Sequence, residues 1–307
     1  MSANFTIELP YKSLHIYLRI DTSEQVSRFL ESTIRGGFGC TMRKIVCATQ
    51  KKECADCLLR NNCAYSYLFE TAPSPDAARM KKYKSVPRPF TINSTQNGTE
   101  IQLNLTLIGN ALSYLPYFIY TLNMLGRKGL GKKRNNYIVE KVITDGDKIV
   151  YTSKENSIET PLTPDTVVVY PGKQKTGTVE IHFYTPLVIR KNGAILKEFD
   201  TKSFFTTLLR RVTNLNAFHG KTKDININPE KILTAVDSLE TESYMKPERK
   251  SRYSTRQNAR LDYSGITGNV RLKGDTGTLE PLLKAGEILG VGKNTVFGYG
   301  KYVLNNI

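Results

Sequence analysis

The chain has 307 residues, with 44 Lys and Arg against 28 Asp and Glu, a formal charge of +16. Its 39% hydrophobic residues can fill the core of one large domain or of two of about 150 residues, which excludes disorder of the whole. No apolar run reaches membrane-spanning length, and Met1–Arg19 lacks a basic segment followed by an apolar one, so a soluble cytoplasmic protein is expected.

In chain order, Leu14, Ile16, Leu18 and Ile20 alternate with polar residues and predict a strand over 11–20. Thr22 and Ser23 offer caps for a helix on Val26, Phe29, Leu30 and Ile34, resuming through Phe38, Met42, Ile45 and Val46. A cysteine-rich stretch follows, and Pro73, Pro75, Pro87 and Pro89 mark irregular chain. Ile101, Leu103, Leu105 and Leu107 predict a strand, Leu115, Ile119 and Leu122 a helix ended at Gly126, and Tyr137–Ile143 a strand.

The second half repeats the plan. Residues 178–190 read as a strand, and Phe204, Phe205, Leu208, Leu209, Val212 and Leu215 form a helical stripe. Strand-like stretches lie in 250–273 around Tyr263-Ser264-Gly265. Leu279, Leu282, Leu283, Ile288 and Leu289 mark a short helix, and the chain closes on a strand at 301–304. This order fits an α+β chain of two tandem ferredoxin-like (RRM-like, βαββαβ) domains, with a cysteine-rich insertion in the first. The expected boundaries are residues 1–146 with the insertion at about 47–90, a connecting segment 147–177 rich in Gly, Pro, Asp and Lys, and residues 178–307.

The charge is spread over both halves, +9 in residues 1–146 and +7 in 147–307, so it is not a basic tail. A pI near 9.5 points to a polyanionic partner, nucleic acid or an acidic surface. All five cysteines fall within 24 residues, a clustering that suggests metal rather than disulfides in a chain of this size. Cys47, Cys54, Cys57 and Cys63 can close a tetrahedral zinc site. An iron–sulfur cluster is the less expected occupant. With no neighbouring His and no open position, such a metal would be structural.

Each half places a glycine-rich basic loop after its second helix. The first runs Gly126-Arg127-Lys128-Gly129-Leu130-Gly131-Lys132-Lys133-Arg134; the second runs from Gly290 through Gly292, Lys293, Asn294 and Gly298 to Gly300. Glycine permits positive φ and close backbone approach, so N–H groups can converge on phosphate. Neither loop is a Walker motif: no Ser or Thr follows Lys133, and Asn294 follows Lys293.

At these residues the chain resembles the CRISPR repeat-RNA endoribonucleases of the RAMP superfamily, which cut precursor CRISPR RNA into guide units. Gly290, Gly292, Gly298 and Gly300 match that family's GxGxxxxxGxG loop before the final strand. Further likeness lies in Arg35-Gly36-Gly37-Phe38-Gly39, in Tyr65, Phe69 and Glu70, and in Arg252–Gln257 with Gly265 and Gly268. The resemblance implies a tandem ferredoxin-like fold, CRISPR repeat RNA as partner, delivery to other CRISPR-associated effector proteins, and cleavage with no catalytic cofactor. In that chemistry the ribose 2′-OH attacks the adjacent phosphorus, leaving a 2′,3′-cyclic phosphate and a 5′-OH.

Such a reaction needs a base, an acid and cations for the developing charge. Of three histidines, His15 and His182 lie in predicted strands and read as structural. His219, at a helix end beside Gly220, is expected to be exposed and is the first candidate for proton transfer. The segment 249–260 has five basic residues and no acidic one. If extended, it puts Arg252, Ser254, Arg256, Asn258 and Arg260 on one face for phosphates, with Tyr253 and Arg256 supporting catalysis. The expected RNA-binding set is Arg35, Arg127, Lys128, Lys132, Lys133, Arg134, Arg249, Lys250, Arg252, Arg256, Arg260, Gly290, Gly292, Lys293, Asn294, Gly298 and Gly300. Two other classes fit the same residues: a non-catalytic RAMP subunit holding guide RNA, and a zinc-containing DNA-binding regulator. The second lacks any helix-turn-helix or paired-finger pattern.

Overall fold

The computed structural model describes residues 7–27, 30–50, 53–73, 79–81, 83, 85–170, 172–221, 229–249, 251–254 and 259–305, the side chains of 251–254 and 259–262 excepted. It is a mixed α+β chain that divides into two compact units, Pro10–Thr166 and Met1–Leu9 with Val167–Ile307. Among the described residues no helix is long and apolar enough to cross a membrane.

The first unit takes β1 (Ile7–Ile20), α1 (Leu30–Val46), α2 (Ala64–Phe69), β2 (Phe90–Asn97), β3 (Glu100–Ile108), α3 (Leu115–Lys128), β4 (Tyr137–Thr144) and β5 (Ile149–Thr152). Its sheet is antiparallel in the order β2-β3-β1-β4-β5. β6 (Asp165–Val169) also pairs with β1, and both strands cross the boundary between the units. Residues 147–177, expected as a connection, thus carry two strands.

The alternation in β1 has the cause its period suggests. Leu14, Ile16 and Leu18 are buried with Leu103, Leu105 and Leu107 of β3, and with Ile34, Phe38 and Met42 spaced four apart on α1. Phe38 stacks on Phe118 of α3 at 4.8 Å, and Phe90 meets Phe118 edge-on at 5.5 Å. α1 starts at Leu30 rather than after Thr22. The Thr22 hydroxyl accepts the Glu24 N–H at 3.2 Å and Gln96 Oε1 accepts the Val26 N–H at 3.0 Å, closing a turn instead of a helix. Phe29 lies outside the described residues. α3 does not end at Gly126 but runs to Lys128. Gly126 serves close approach, since a Cβ there would collide with the Tyr137 carbonyl oxygen of β4.

The second unit takes β7 (Thr176–Leu187), a small hairpin of β8 (Arg190–Lys191) and β9 (Ala194–Ile195), α4 (Thr201–His219) and α5 (Pro229–Asp237). There follow β10 (Glu240–Glu248), β11 (Ser251–Ser254), β12 (Ala259–Asp262), β13 (Gly265–Asp275), α6 (Thr276–Leu289) and β14 (Tyr302–Asn305). The main sheet is antiparallel, β10-β13-β7-β14. Strand, helix, two strands, helix and strand therefore recur in both units, with the four strands in the same spatial order. The stripe Phe204, Phe205, Leu208, Val212 and Leu215 of α4 is buried with Val179, Ile181 and Phe183 of β7. Asp200 caps α4, its carboxylate accepting the Ser203 N–H at 2.7 Å and an ion pair from Lys191 at 2.9 Å.

Candidate nucleic-acid interface

The C-terminal glycine-rich loop begins where α6 ends, and two cations hold that end. Arg211 of α4, buried at 9% exposure, donates from Nε (3.0 Å) and Nη2 (2.7 Å) to the Leu289 carbonyl. Lys301 donates from Nζ to the Ile288 carbonyl at 2.5 Å. Both satisfy carbonyls that a helix terminus leaves open, at the negative end of its dipole. Burial pulls the Arg211 guanidinium down to about 10, so it stays charged at neutral pH.

The loop backbone then folds on itself. The N–H groups of Gly290, Val291, Lys293, Phe297, Gly298, Tyr299 and Gly300 all donate to protein carbonyls, among them Gly300 to Pro186 at 2.9 Å and Lys293 to Val188 at 2.8 Å. Those seven donors are therefore already occupied within the protein. The glycines serve a tight clasp: Gly300 sits at φ +67°, and a Cβ on it would run into the Val291 carbonyl oxygen. Asn294 takes a left-handed conformation at φ 65°. What the loop presents outward is the exposed Lys293 side chain, on a backbone pinned by the Val188 bond.

In the first unit Gly129 caps α3 at φ +80°, and Leu130 and Asn135 exchange backbone hydrogen bonds at 2.8 and 3.1 Å. That small ladder forces Arg127, Lys128, Lys132, Lys133 and Arg134 outward, and all five are exposed. Lys133 binds Glu24 at 2.5 Å and holds that carboxylate below its usual range. A cluster of exposed cations on a tied loop suits phosphate contact through side chains.

Other expected residues lie elsewhere. His219 is the last residue of α4 but is only 4% exposed, not the exposed helix end its sequence position suggested. Thr213 to Asn216 are buried with it, while Ala217 and Phe218 between them are half-buried. His15 Nδ1 meets Asn104 Oδ1 at 2.8 Å, and its Nε2 meets Asp145 at 3.0 Å. His182 is exposed, with Nδ1 2.6 Å from Asn269 Oδ1. Arg35 lies over the Phe69 ring at 5.0 Å, turned to the unit's own aromatic cluster. β11 and β12 pair antiparallel, with Arg252 opposite Leu261 and Tyr253 opposite Arg260, and Arg256 and Asn258 of the expected arginine row lie outside the described residues. Arg249 is exposed, and Lys250 and Arg256 lie outside the described residues.

Cys47, Cys54, Cys57 and Cys63 line one small pocket with Glu53, Arg60 and Tyr65, and all are free thiols. Among the described residues no group of three or more His, Cys, Asp or Glu is placed to hold a metal ion, so the zinc arrangement expected from spacing is not formed. The thiols have other partners. Arg43 donates to Cys47 and lies over Tyr65 at 5.6 Å, and Cys57 meets Thr49 at 3.4 Å. Burial pushes the Cys54 thiol up, against the pull of Arg43.

Arg211 and Lys301 were not singled out by sequence. Arg211 carries a visible signal, since it falls inside the apolar stripe of α4 between Leu208 and Leu215. Nothing local marks Lys301 among 44 basic residues.

Residues 9–163 match a family model described as an N-terminal domain, and residues 181–302 match that of the CRISPR-associated endoribonuclease Cas6. Over 282 residues the chain is 28% identical to an uncharacterized protein of Archaeoglobus fulgidus, covering 89% of this chain and 90% of that one. In fold it is similar to a Cas6 product complex, with a TM-score of 0.55 at 15% identity over 96% of this chain and 99% of that one. It is likewise similar to Thermus thermophilus Cas6, with a TM-score of 0.53 at 13% identity over 99% and 100%. The clasped glycine loop that the sequence marked lies inside the second match, and residues 181–302 of the chain belong to the family of the CRISPR-associated endoribonuclease Cas6.

Proposed function

We propose that the chain binds CRISPR repeat RNA and cuts precursor CRISPR RNA once in each repeat, without metal. The ribose 2′-OH attacks the adjacent phosphorus, the 5′-oxygen leaves with a proton, and the ends are a 2′,3′-cyclic phosphate and a 5′-OH. The observation that carries this reading is the endoribonuclease family match over 181–302 in a chain whose first unit exposes five cations on one tied loop. We read each unit as ferredoxin-like from its strand order. Lys293 and the 127–134 cations bind phosphates, and the product passes to other CRISPR-associated proteins in the cytoplasm. The residues that move the protons are sought by substitution, His219, Tyr253 and Arg256 first.

The test is cleavage of a cognate repeat RNA in EDTA, with analysis of both ends. A cyclic phosphate supports the mechanism; cleavage only on adding magnesium overturns it. The burial of His219 favours a second reading, a non-catalytic RAMP subunit that holds guide RNA. Tight binding without cleavage in the same assay selects that reading.

A further inference from the structure

In the sheet of the second unit, Val179, Ile181, Phe183, Val270, Leu272 and Tyr302 are buried, and the alternate residues stand on the opposite face. The register sets these out in rows. One row runs Glu242, Arg271, Glu180, Asn305, with Arg271 bound to Glu180 at 2.7 Å and 3.6 Å from Glu242. Beside it Lys273 binds Glu240 at 3.2 Å. Those charges pair with one another, three carboxylates against two cations.

The next row runs Tyr244, Asn269, His182, Val303 and has a different chemistry. Tyr244 is 63% exposed, Val303 40%, and Tyr184, two residues along β7 from His182, 48%. A carboxamide oxygen only accepts, so with Asn269 Oδ1 at 2.6 Å it is His182 Nδ1 that donates. In the neutral ring Nε2 is then an acceptor, beside the donor NH2 of Asn269. Neither has a partner among the described residues. Tyr244 and His182 stand two strands apart, about 10 Å.

The first unit carries the same pair in the equivalent place. His15 of its first strand faces Asn104 of its third, but there Asp145 closes off Nε2 at 3.0 Å. Only the copy in the second unit leaves a donor and an acceptor side by side between exposed tyrosines.

Resting on the function proposed above, we infer that this row is a platform for unpaired nucleobases of the RNA strand. Tyr244 and Tyr184 stack on base faces, and the His182–Asn269 pair hydrogen-bonds a base edge. Charge complementarity favours this occupant. Lys246, exposed and two residues along β10 from Tyr244, has no partner among the described residues, and the chain carries +16. It supplies the phosphate contact beside the stacked base.

The experiment uses the full chain and repeat RNAs carrying 2-aminopurine at each unpaired position in turn. Wild type should quench one or two of these positions on binding. Tyr244→Ser with Tyr184→Ser should abolish that quench and weaken binding roughly tenfold, while the double Phe variant restores both. Asn269→Leu should flatten the affinity differences among oligo(U), oligo(C) and oligo(A). If wild type binds RNA but no position is quenched, or the Ser variants bind as wild type does, the platform falls and the nuclease reading stands. If wild type binds no RNA at all, the nuclease reading falls and takes the platform with it.

Discussion

Arg211 reaches from the middle of α4 to the Leu289 carbonyl at the end of α6, donating to one oxygen from two of its nitrogens, at 3.0 and 2.7 Å. The contact joins the two helices of the second unit at the point where the glycine loop leaves α6. It also puts a buried cation against a helix C-terminus, where the dipole favours it.

Removing that cation leaves a buried carbonyl without its donor. Arg211→Met keeps most of the aliphatic bulk and is expected to destabilise the chain by about 2 kcal/mol. Arg127→Met on the exposed first loop is expected to change stability by less than about 0.5 kcal/mol. Urea unfolding followed by circular dichroism measures both, and equal midpoints for the two variants would contradict the role given to Arg211.

The Asp200 cap sets a pH dependence. Lys191 and the Ser203 hydroxyl, with the Ser203 backbone N–H, hold this carboxylate down to about 2. Its folded value lies below the unfolded one, so its contribution is present above about pH 4 and is lost as pH falls towards 2. Asp200→Ala should cost about 1 kcal/mol at pH 7. Wild type and variant should converge in unfolding midpoint as pH is lowered from 5 to 2. A constant gap across that range would sink the assignment.

Much of this architecture is legible in the sequence because burial enforces a period. Leu14-Ile16-Leu18 and Leu103-Leu105-Leu107 must alternate to put one face in the core, and Phe204-Leu208-Val212-Leu215 must recur at helical spacing. β10 escapes for the converse reason. As an edge strand whose sequence is ETESYMKPE, it buries no regular face, so nothing in its order reveals it. The site is less legible than the fold. The glycines of 290–300 stand out by composition, yet their use as a clasp follows from bonds to Pro186 and Val188, about a hundred residues upstream. The partner of His182 is likewise fixed only by strand register, 87 residues away.

The first-unit cations give a prediction in salt dependence. Each phosphate contact on single-stranded RNA contributes about 0.7 to the slope of log affinity against log salt. Lys128→Ala with Lys132→Ala and Arg134→Ala should therefore reduce that slope by about 2 if all three contact phosphate. The loss of affinity should be similar for repeat and unrelated RNA, since phosphates carry no sequence. Fluorescence anisotropy at 50 to 300 mM salt provides the measurement, and an unchanged slope would remove this loop from the interface.

The glycine loop separates folding from binding at two neighbouring places. Gly300→Ala forces a Cβ onto the Val291 carbonyl at a left-handed φ of +67°, and strain of that kind costs about 1–3 kcal/mol before any displacement of the loop. Lys293→Ala alters only an exposed side chain, because the bond from its N–H to Val188 survives the substitution. The first variant should lower the unfolding midpoint, and bind RNA weakly through loss of the clasp. The second should unfold as wild type does but bind RNA several-fold more weakly, most clearly at low salt. If Gly300→Ala proves as stable as wild type, the clasp account is wrong. If Lys293→Ala binds RNA with undiminished affinity, the phosphate contact assigned to this loop belongs elsewhere on the chain.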